Sequence, residues 1–212
     1  MTSPLRIRPV TPGSVAEIDR LIEVCHLTGD AGNDASHLHN ERRLLGEVYV
    51  AAYATLHPEL TFVIVDSDDQ ILGYTVGALD SLNFDRELNE SWWPVLRERY
   101  PLVAPTDQEI QRTPNDQQLI ESVHSWSGSN PEFCRDYPSH LHINLLPGAQ
   151  GGGNGKRLLV TLFDALQAQG STGSHLGSNP VNLNAFGFYT HIGFSVLEHT
   201  KDSLTLGMKF TM

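Results

Sequence analysis

The sequence predicts an α/β (α+β) protein built on one mixed, mostly antiparallel sheet with helices on both faces. Three observations carry that expectation. Strand-like and helix-like segments alternate along most of the chain. An apolar run at 141–146 leads into Gln150-Gly151-Gly152-Gly153-Asn154-Gly155, and this leads into an amphipathic stretch at 156–169. One long excursion, 81–139, interrupts an otherwise even rhythm and precedes that apolar run.

Residues 5–8 alternate apolar and charged and read as a short first strand. Thr11-Pro12-Gly13-Ser14 opens a helix running to about Cys25, with Val15, Ile18, Leu21 and Ile22 at helical spacing. A polar loop, 28–36, separates it from a second helix at 41–54 that stops near Pro58. Strands at 60–65 and 71–79 flank a turn and predict a hairpin. The excursion holds Trp92, Trp93 and Trp126 and half of the twelve prolines, and predicts short helices at 86–99 and 107–125. So long an interruption between strands points to an element that faces a substrate, anchored by Trp92 and Trp93 and forming one wall of a cleft beside Asp80. The alternative is a surface elaboration or a contact between copies. The rhythm then resumes: strand 141–146, helix 156–169 stopped by Gly170, strand 174–177, helix 184–191 ended by Gly193, and a closing strand pair at 194–199 and 203–210. No segment repeats, and the whole reads as a single domain, 1–212, carrying a helical insert at 81–139.

A net charge of −11 argues against non-specific binding to nucleic acid or an acidic membrane surface. No apolar run approaches the roughly 20 residues a spanning helix needs. The first residues lack the apolar core of a secretory leader, and two cysteines, Cys25 and Cys134, make no disulfide framework, so the expected location is cytoplasmic. The ten histidines form no cluster with zinc spacing, and no metal is expected. A monomer and a homodimer are equally open.

Strand, glycine turn and helix N-terminus together form a device for holding phosphate. The first amides of a helix lack intrahelical acceptors, the helix dipole favours an anion there, and glycines let the backbone approach. Spacing narrows the ligand. A P-loop would need glycine at 150 and a hydroxyl at 157, where the chain has Gln150 and Arg157. The dinucleotide pattern started at Gly151 would need glycine where Lys156 stands. What remains is Gln150-x-x-Gly153-x-Gly155, which resembles the acetyl-CoA signature of the GNAT N-acetyltransferases. A second stretch, Asn184, Gly187, Phe188, Tyr189, Gly193 and Phe194, resembles the other GNAT signature and follows in the right order.

The resemblance implies a GNAT fold and an acetyl-CoA-dependent N-acetyltransferase. The acetyl group would go directly to a primary amine, on a small molecule or a protein lysine. It places the cofactor arm against Ile143, Leu145 and Leu146, the loop Gln150, Gly151, Gly152, Gly153, Asn154 and Gly155, then Lys156, Asn184 and Phe188. Tyr189 becomes the general acid toward the coenzyme thiolate, because a phenol can donate to sulfur. Asn184 reads independently as a helix N-cap. Candidates for the general base are Asp80, His142, Asp30 and Asp34; Asn144 could only position. A catalytically silent acyl-CoA-binding or protein-interaction module is the competing reading.

The middle of the chain carries a narrower resemblance. The segments at 72–80, 91–101 (Ser91-Trp92-Trp93-Pro94) and 137–143 (Tyr137-Pro138-Ser139-His140) look like the acetyltransferase-like domain of animal O-GlcNAcase and its free-standing bacterial relatives. The animal domain has a degraded cofactor loop, whereas Gln150–Gly155 and Tyr189 are intact here. The sugar-hydrolase part has no counterpart in this chain.

Overall fold

A computed structural model describes residues 5–105 and 110–210. Its sheet has the order β1-β2-β3-β4-β5-β7-β6. The strands are β1 (Arg6–Pro9), β2 (Thr61–Val65), β3 (Ile71–Ala78), β4 (Ser139–Leu145), β5 (Gly173–Ser178), β6 (Ser195–His199) and β7 (Leu204–Lys209). Neighbours are antiparallel throughout except β4 with β5. The expected mixed, mostly antiparallel sheet is what the chain forms.

Side-chain alternation sorts the two faces. Val63, Val65, Tyr74, Val76 and Ala78 pack under α1 (Val15–His26) and α2 (44–56). On the opposite face, Ile64 meets Leu158 of α6 (Asn154–Ala168), while Leu141 joins Leu159, Leu162 and Tyr189 of α7 (Leu183–His191). Both Cys25 and Cys134 are buried free thiols.

The excursion supplies α3 (81–99), α4 (Pro114–His124) and α5 (Pro131–Asp136). Helix α3 starts earlier than the expected residue 86, because Asp80 caps it by accepting the Asn83 N–H at 2.8 Å. Helix α4 starts later than the expected residue 107. Thr113 and Asp116 form a reciprocal capping box that fixes the first turn at Pro114. Residues 107–109 of that expected helix lie outside the described residues.

Two features tie the excursion down. Helices α2 and α3 each contain a π-helical turn, Glu47–Ala51 and Leu88–Trp92. The Trp92 indole N–H donates to the Glu47 carbonyl at 2.9 Å and so joins the two wide turns. The buried Glu47 carboxylate accepts from Arg43 at 3.1 Å, Arg99 at 2.5 Å and the Tyr100 hydroxyl at 2.9 Å. Trp93, the next residue, is 1% exposed and lies in the core.

The second tie is Asp116. It is fully buried, and it accepts from His39 Nδ1 at 2.9 Å, the Asn40 N–H at 3.1 Å and the Thr113 N–H at 2.9 Å. Burial alone would raise its pKa, but the Thr113 N–H, His39 and the Asn40 N–H outweigh that and hold it below the ordinary carboxylate value. Its contribution is therefore present above the unfolded carboxylate range and lost as pH falls through the lowered folded value. Asp116→Ala leaves three buried donors unanswered and should destabilise the fold by about 3 kcal/mol. Denaturant midpoints at pH 7 measure this; a change below ~1 kcal/mol would mean α4 is not held through this carboxylate.

Candidate active site

Strand β4 pairs with β5 only at Ser139↔Ser174 and His140↔His175. Beyond His140 the two strands part. The Leu146 N–H donates to the Leu72 carbonyl at 2.8 Å, which sets the parity of the β3–β4 ladder. His142 and Asn144 exchange their backbone hydrogen bonds with β3, so Leu141, Ile143 and Leu145 turn theirs toward the gap.

A cavity of about 850 Å³ occupies this gap and extends to the glycine loop. The loop has three successive left-handed residues: Gly151 at φ +76°, Gly152 at +58° and Gly153 at +77°. No L side chain holds three such angles in a row without strain, which is why this run is glycine. The left-handed turn brings the chain into the N-terminus of α6. Gln150 Nε2 donates to the Leu145 carbonyl at 2.9 Å and Asn154 Nδ2 to the Ala149 carbonyl at 3.1 Å, fixing the loop against the end of β4. Among the described residues, the amides of Gly151, Gly152, Gly153, Gly155 and Lys156 find no backbone acceptor. Free amides, a positive dipole end and the Lys156 ammonium together suit a diphosphate.

The structure brings most of the expected residues to this cavity. Ile143 and Leu145 border it from β4, and Gln150, Gly151, Gly153, Asn154, Gly155 and Lys156 from the loop and α6. Asn184, Phe188 and Tyr189 border it from α7. Gly152 and Leu146 do not border it. Leu146 packs instead against the core under α1 and α2. The N-cap of α7 is Asn182, which accepts the Ala185 N–H at 3.0 Å, so Asn184 stands inside the helix, exposed, and does no capping. Tyr189 is 9% exposed and packs edge-on against Phe194, with ring centroids 5.6 Å apart. Burial pushes its pKa well above the ordinary phenol value, so it stays protonated at neutral pH. Its hydroxyl has no hydrogen-bond partner among the described residues.

The far wall comes from α1, the loop after it and α2: Cys25, Thr28, Asp30, Asn33, Leu45 and Tyr49. Asn144 closes a chain beneath this wall, accepting from the Tyr74 hydroxyl at 2.9 Å and donating to Thr28 Oγ1 at 2.7 Å. The polar composition of residues 28–36 was the only sequence signal for this wall. Asp34 lies outside the cavity and accepts the Ser36 N–H.

A second cavity, about 140 Å³, lies between the excursion and the β4–β5 junction. It shares Tyr49, Leu141, His142 and Gly177 with the larger one, so the two meet at the point where the strands part. The excursion contributes Asp85, Leu88, Trp93, Trp126 and Ser129, so it does wall a cavity. Asp85 stands at this wall. Asp80 does not: its carboxylate is exposed, occupied in capping α3, and borders neither cavity. His142 borders both. Its ring stacks edge-on against Tyr49 and Tyr53, and burial lowers its pKa to about 4, so the imidazole is neutral. Neighbouring His140 is committed elsewhere, accepting from Tyr53 and donating to Ser81. No group of three or more candidate metal ligands is present among the described residues.

No family model matches the chain. Protein O-GlcNAcase of Rattus norvegicus is 25% identical over 189 residues, covering 88% of this chain and 20% of that protein. The chain thus spans about one fifth of the length of the curated relative it matches. Among solved structures, SsHAT superposes with a TM-score of 0.83 at 29% identity, covering 98% of this chain and 99% of the other. The PaiA N-acetyltransferase of Thermoplasma acidophilum, solved with coenzyme A, superposes with a TM-score of 0.56 at 15% identity over 98% and 99% of the two chains. That last likeness concerns the fold alone.

Gly153→Ala keeps open space around the added methyl but forces a left-handed alanine at the head of α6. It should destabilise the protein by about 1–2 kcal/mol, read as a lowered denaturant midpoint. An unchanged midpoint would mean that the loop relaxes out of this conformation freely.

Proposed function

We propose that the chain, similar to SsHAT over nearly its whole length, is a GNAT-type acetyl-CoA-dependent N-acetyltransferase that acylates a primary amine by direct transfer. The observation that carries this reading is the continuous cavity from the free amides of Gly151, Gly153 and Gly155 to the gap between β4 and β5, with Tyr189 on its wall.

Each residue then has a task. The loop amides and Lys156 hold the diphosphate. The backbone of Ile143 and Leu145 lies along the pantetheine arm, and the edge of β4 offers donors to the thioester carbonyl. Phe188 and Asn184 border the arm from α7. The amine arrives through the smaller cavity and its nitrogen lone pair attacks the carbonyl carbon. As the C–N bond forms, the nitrogen becomes acidic and passes a proton to the neutral imidazole of His142; low basicity suits a proton already made labile. As the C–S bond breaks, the Tyr189 hydroxyl protonates the departing sulfur. Solvent then takes the proton from His142 and reprotonates Tyr189. Asp80, fixed as a helix cap outside both cavities, has no part in this scheme.

Acetyl-CoA should raise the melting temperature by mass action, and Gly153→Asp, which places a carboxylate at the diphosphate contact, should remove the shift. No shift at millimolar acetyl-CoA would end both the enzyme reading and the silent-binder reading. Tyr189→Phe should lower kcat about 100-fold while the thermal shift persists; an undiminished kcat would leave Tyr189 a packing residue.

The pH profile offers a third check. With a pKa near 4, His142 is deprotonated from about pH 5 upward. Between pH 5 and 8, kcat/KM should follow the ionisation of the amine substrate, without an inflection from the enzyme. An inflection near pH 6.5 that His142→Gln removes would contradict this.

A further inference from the structure

The wall of the smaller cavity is one-sided in charge. Asp85 of α3 borders it and is 7% exposed. Its Oδ2 accepts the Ser129 N–H at 2.6 Å. That amide is the one donor to its carboxylate among the described residues, and no ion pair reaches it there. The turn that supplies the amide lies close: Gly128 is left-handed at φ +78°, and a side chain there would begin 3.2 Å from Asp85 Oδ2. Among the described residues, no lysine or arginine borders the cavity. Three imidazoles do, those of His140, His142 and His175, and burial lowers the pKa of each, so they are neutral at pH 7. Four aromatic residues complete the polar part of the wall: Tyr49, Tyr53, Trp93 and Trp126. The rings of Trp93 and Trp126 have centroids 5.3 Å apart, and Trp126 is 37% exposed. A buried carboxylate without a countercharge is costly. Aromatic faces attract cations, and more strongly once the cation is desolvated. Both features favour the same kind of ligand.

We infer that the acceptor is a short aliphatic diamine, with one nitrogen acetylated and the other held as an ammonium beside Asp85. This rests on the acetyltransferase reading above and narrows it. The nucleophilic amine lies at the junction by His142, where the two cavities meet. It must be unprotonated for its lone pair to attack. The far nitrogen has no such duty, and the Asp85 carboxylate favours its charged form. An ammonium only donates, so it fits a carboxylate in a wall that offers no competing cation. A hydroxyl in the same place would leave the buried charge uncompensated. A carboxylate, as in an amino acid, would set two anions together. A plain alkyl amine brings no second charge, and neither does the side chain of a single peptide lysine. A cavity of about 140 Å³ also suits a short chain better than a polymer segment.

A coenzyme A thiol-release assay can compare propane-1,3-diamine, butane-1,4-diamine and pentane-1,5-diamine with the monoamine and the amino alcohol of each length, and with a lysine-containing peptide. The best diamine should exceed both of its partners at least ~10-fold in kcat/KM, as expected for a hydrogen bond to a charged group. The gain should lie mainly in KM. Asp85→Asn keeps an acceptor for the Ser129 N–H and removes the charge. It should bring the ratio down to about two, the statistical advantage of having two nitrogens. Trp126→Lys, at a partly exposed position on the same wall, supplies a fixed cation and should lower the ratio as well. Neither should alter the acetyl-CoA thermal shift. The ratio is internal to each protein, so partial loss of folded enzyme does not blur it; if Asp85→Asn does not fold, Trp126→Lys decides. Diamines no better than the statistical advantage overturn the inference. So does a ratio that neither variant changes, or a preference for the lysine peptide. Calorimetry with butane-1,4-diamine and butylamine, in the absence of acetyl-CoA, separates the two failures. Diamine binding that Asp85→Asn removes, in a protein without an acetyl-CoA shift, refutes the enzyme reading and keeps the cation site. Binding of neither, or of both equally, refutes the cation site.

Discussion

The arrangement depends on β4 and β5 staying apart after two paired residues. Each has a full-length antiparallel partner on its other edge: β3 pairs with β4 from Gly73↔Leu145 to Ala78↔His140, and β7 pairs with β5 from Gly173 to Ser178. Those outer ladders fix where each strand runs, and beyond His140 and His175 the two strands are no longer paired with each other. The gap-facing backbone groups of Ile143 therefore have no strand partner at the centre of the sheet, and among the described residues the Leu145 carbonyl is answered only by Gln150. Buried backbone polar groups without partners are rare because they are costly. Here they face a cavity, and a polar chain laid into the gap would answer them. The same parting places the glycine loop at one end of the opening and the small polar cavity beside its start.

Much of this was legible in the chain. The glycine spacing at Gln150–Gly155 selected one phosphate device among three, and the structure gives that run the left-handed backbone only glycine adopts freely. The strand and helix order was readable from alternation and periodicity, since each element buries one face. The pairing of Tyr189 with its aromatic neighbours was also carried by local sequence. The rest depended on long-range contact. Asp80 and Asp85 lie five positions apart, yet one caps a helix at the surface and the other is buried in a cavity wall. No local pattern distinguishes them, because the difference arises from where α3 begins. The wall contributed by Thr28, Asp30 and Tyr49 carried no motif at all; it is built from the loop after α1, which Asn144 holds through Thr28, and from α2.

The excursion shows how a long interruption acquires a fixed place. Its tryptophans do different jobs: Trp92 reaches a carbonyl in α2, Trp93 fills the core, and Trp126 stays half in solvent against it. Buried Glu47 of α2 and buried Asp116 of α4 add charge-assisted hydrogen bonds between the excursion and the chain that precedes it. Such buried carboxylates contribute direction more than net stability, since their desolvation offsets much of their attraction. They dictate which way the helices face, and with that, which side chains reach the junction.

The two π-helical turns extend this into genetics. An ordinary helix advances about 100° per residue, so one added or removed residue rotates everything beyond it by that angle. A wide turn absorbs one extra residue without breaking the helix. Glu47–Ala51 and Leu88–Trp92 are thus places where the register of side chains along the helix is displaced by one residue. In-frame loss of one codon within either turn would leave a continuous helix of nearly the same length and composition. It would also swing Tyr49 off the junction, or Trp93 out of the wall of the smaller cavity. Divergence in what this protein acts upon could therefore proceed through single-residue length changes inside helices, where sequence comparison ordinarily treats gaps as errors.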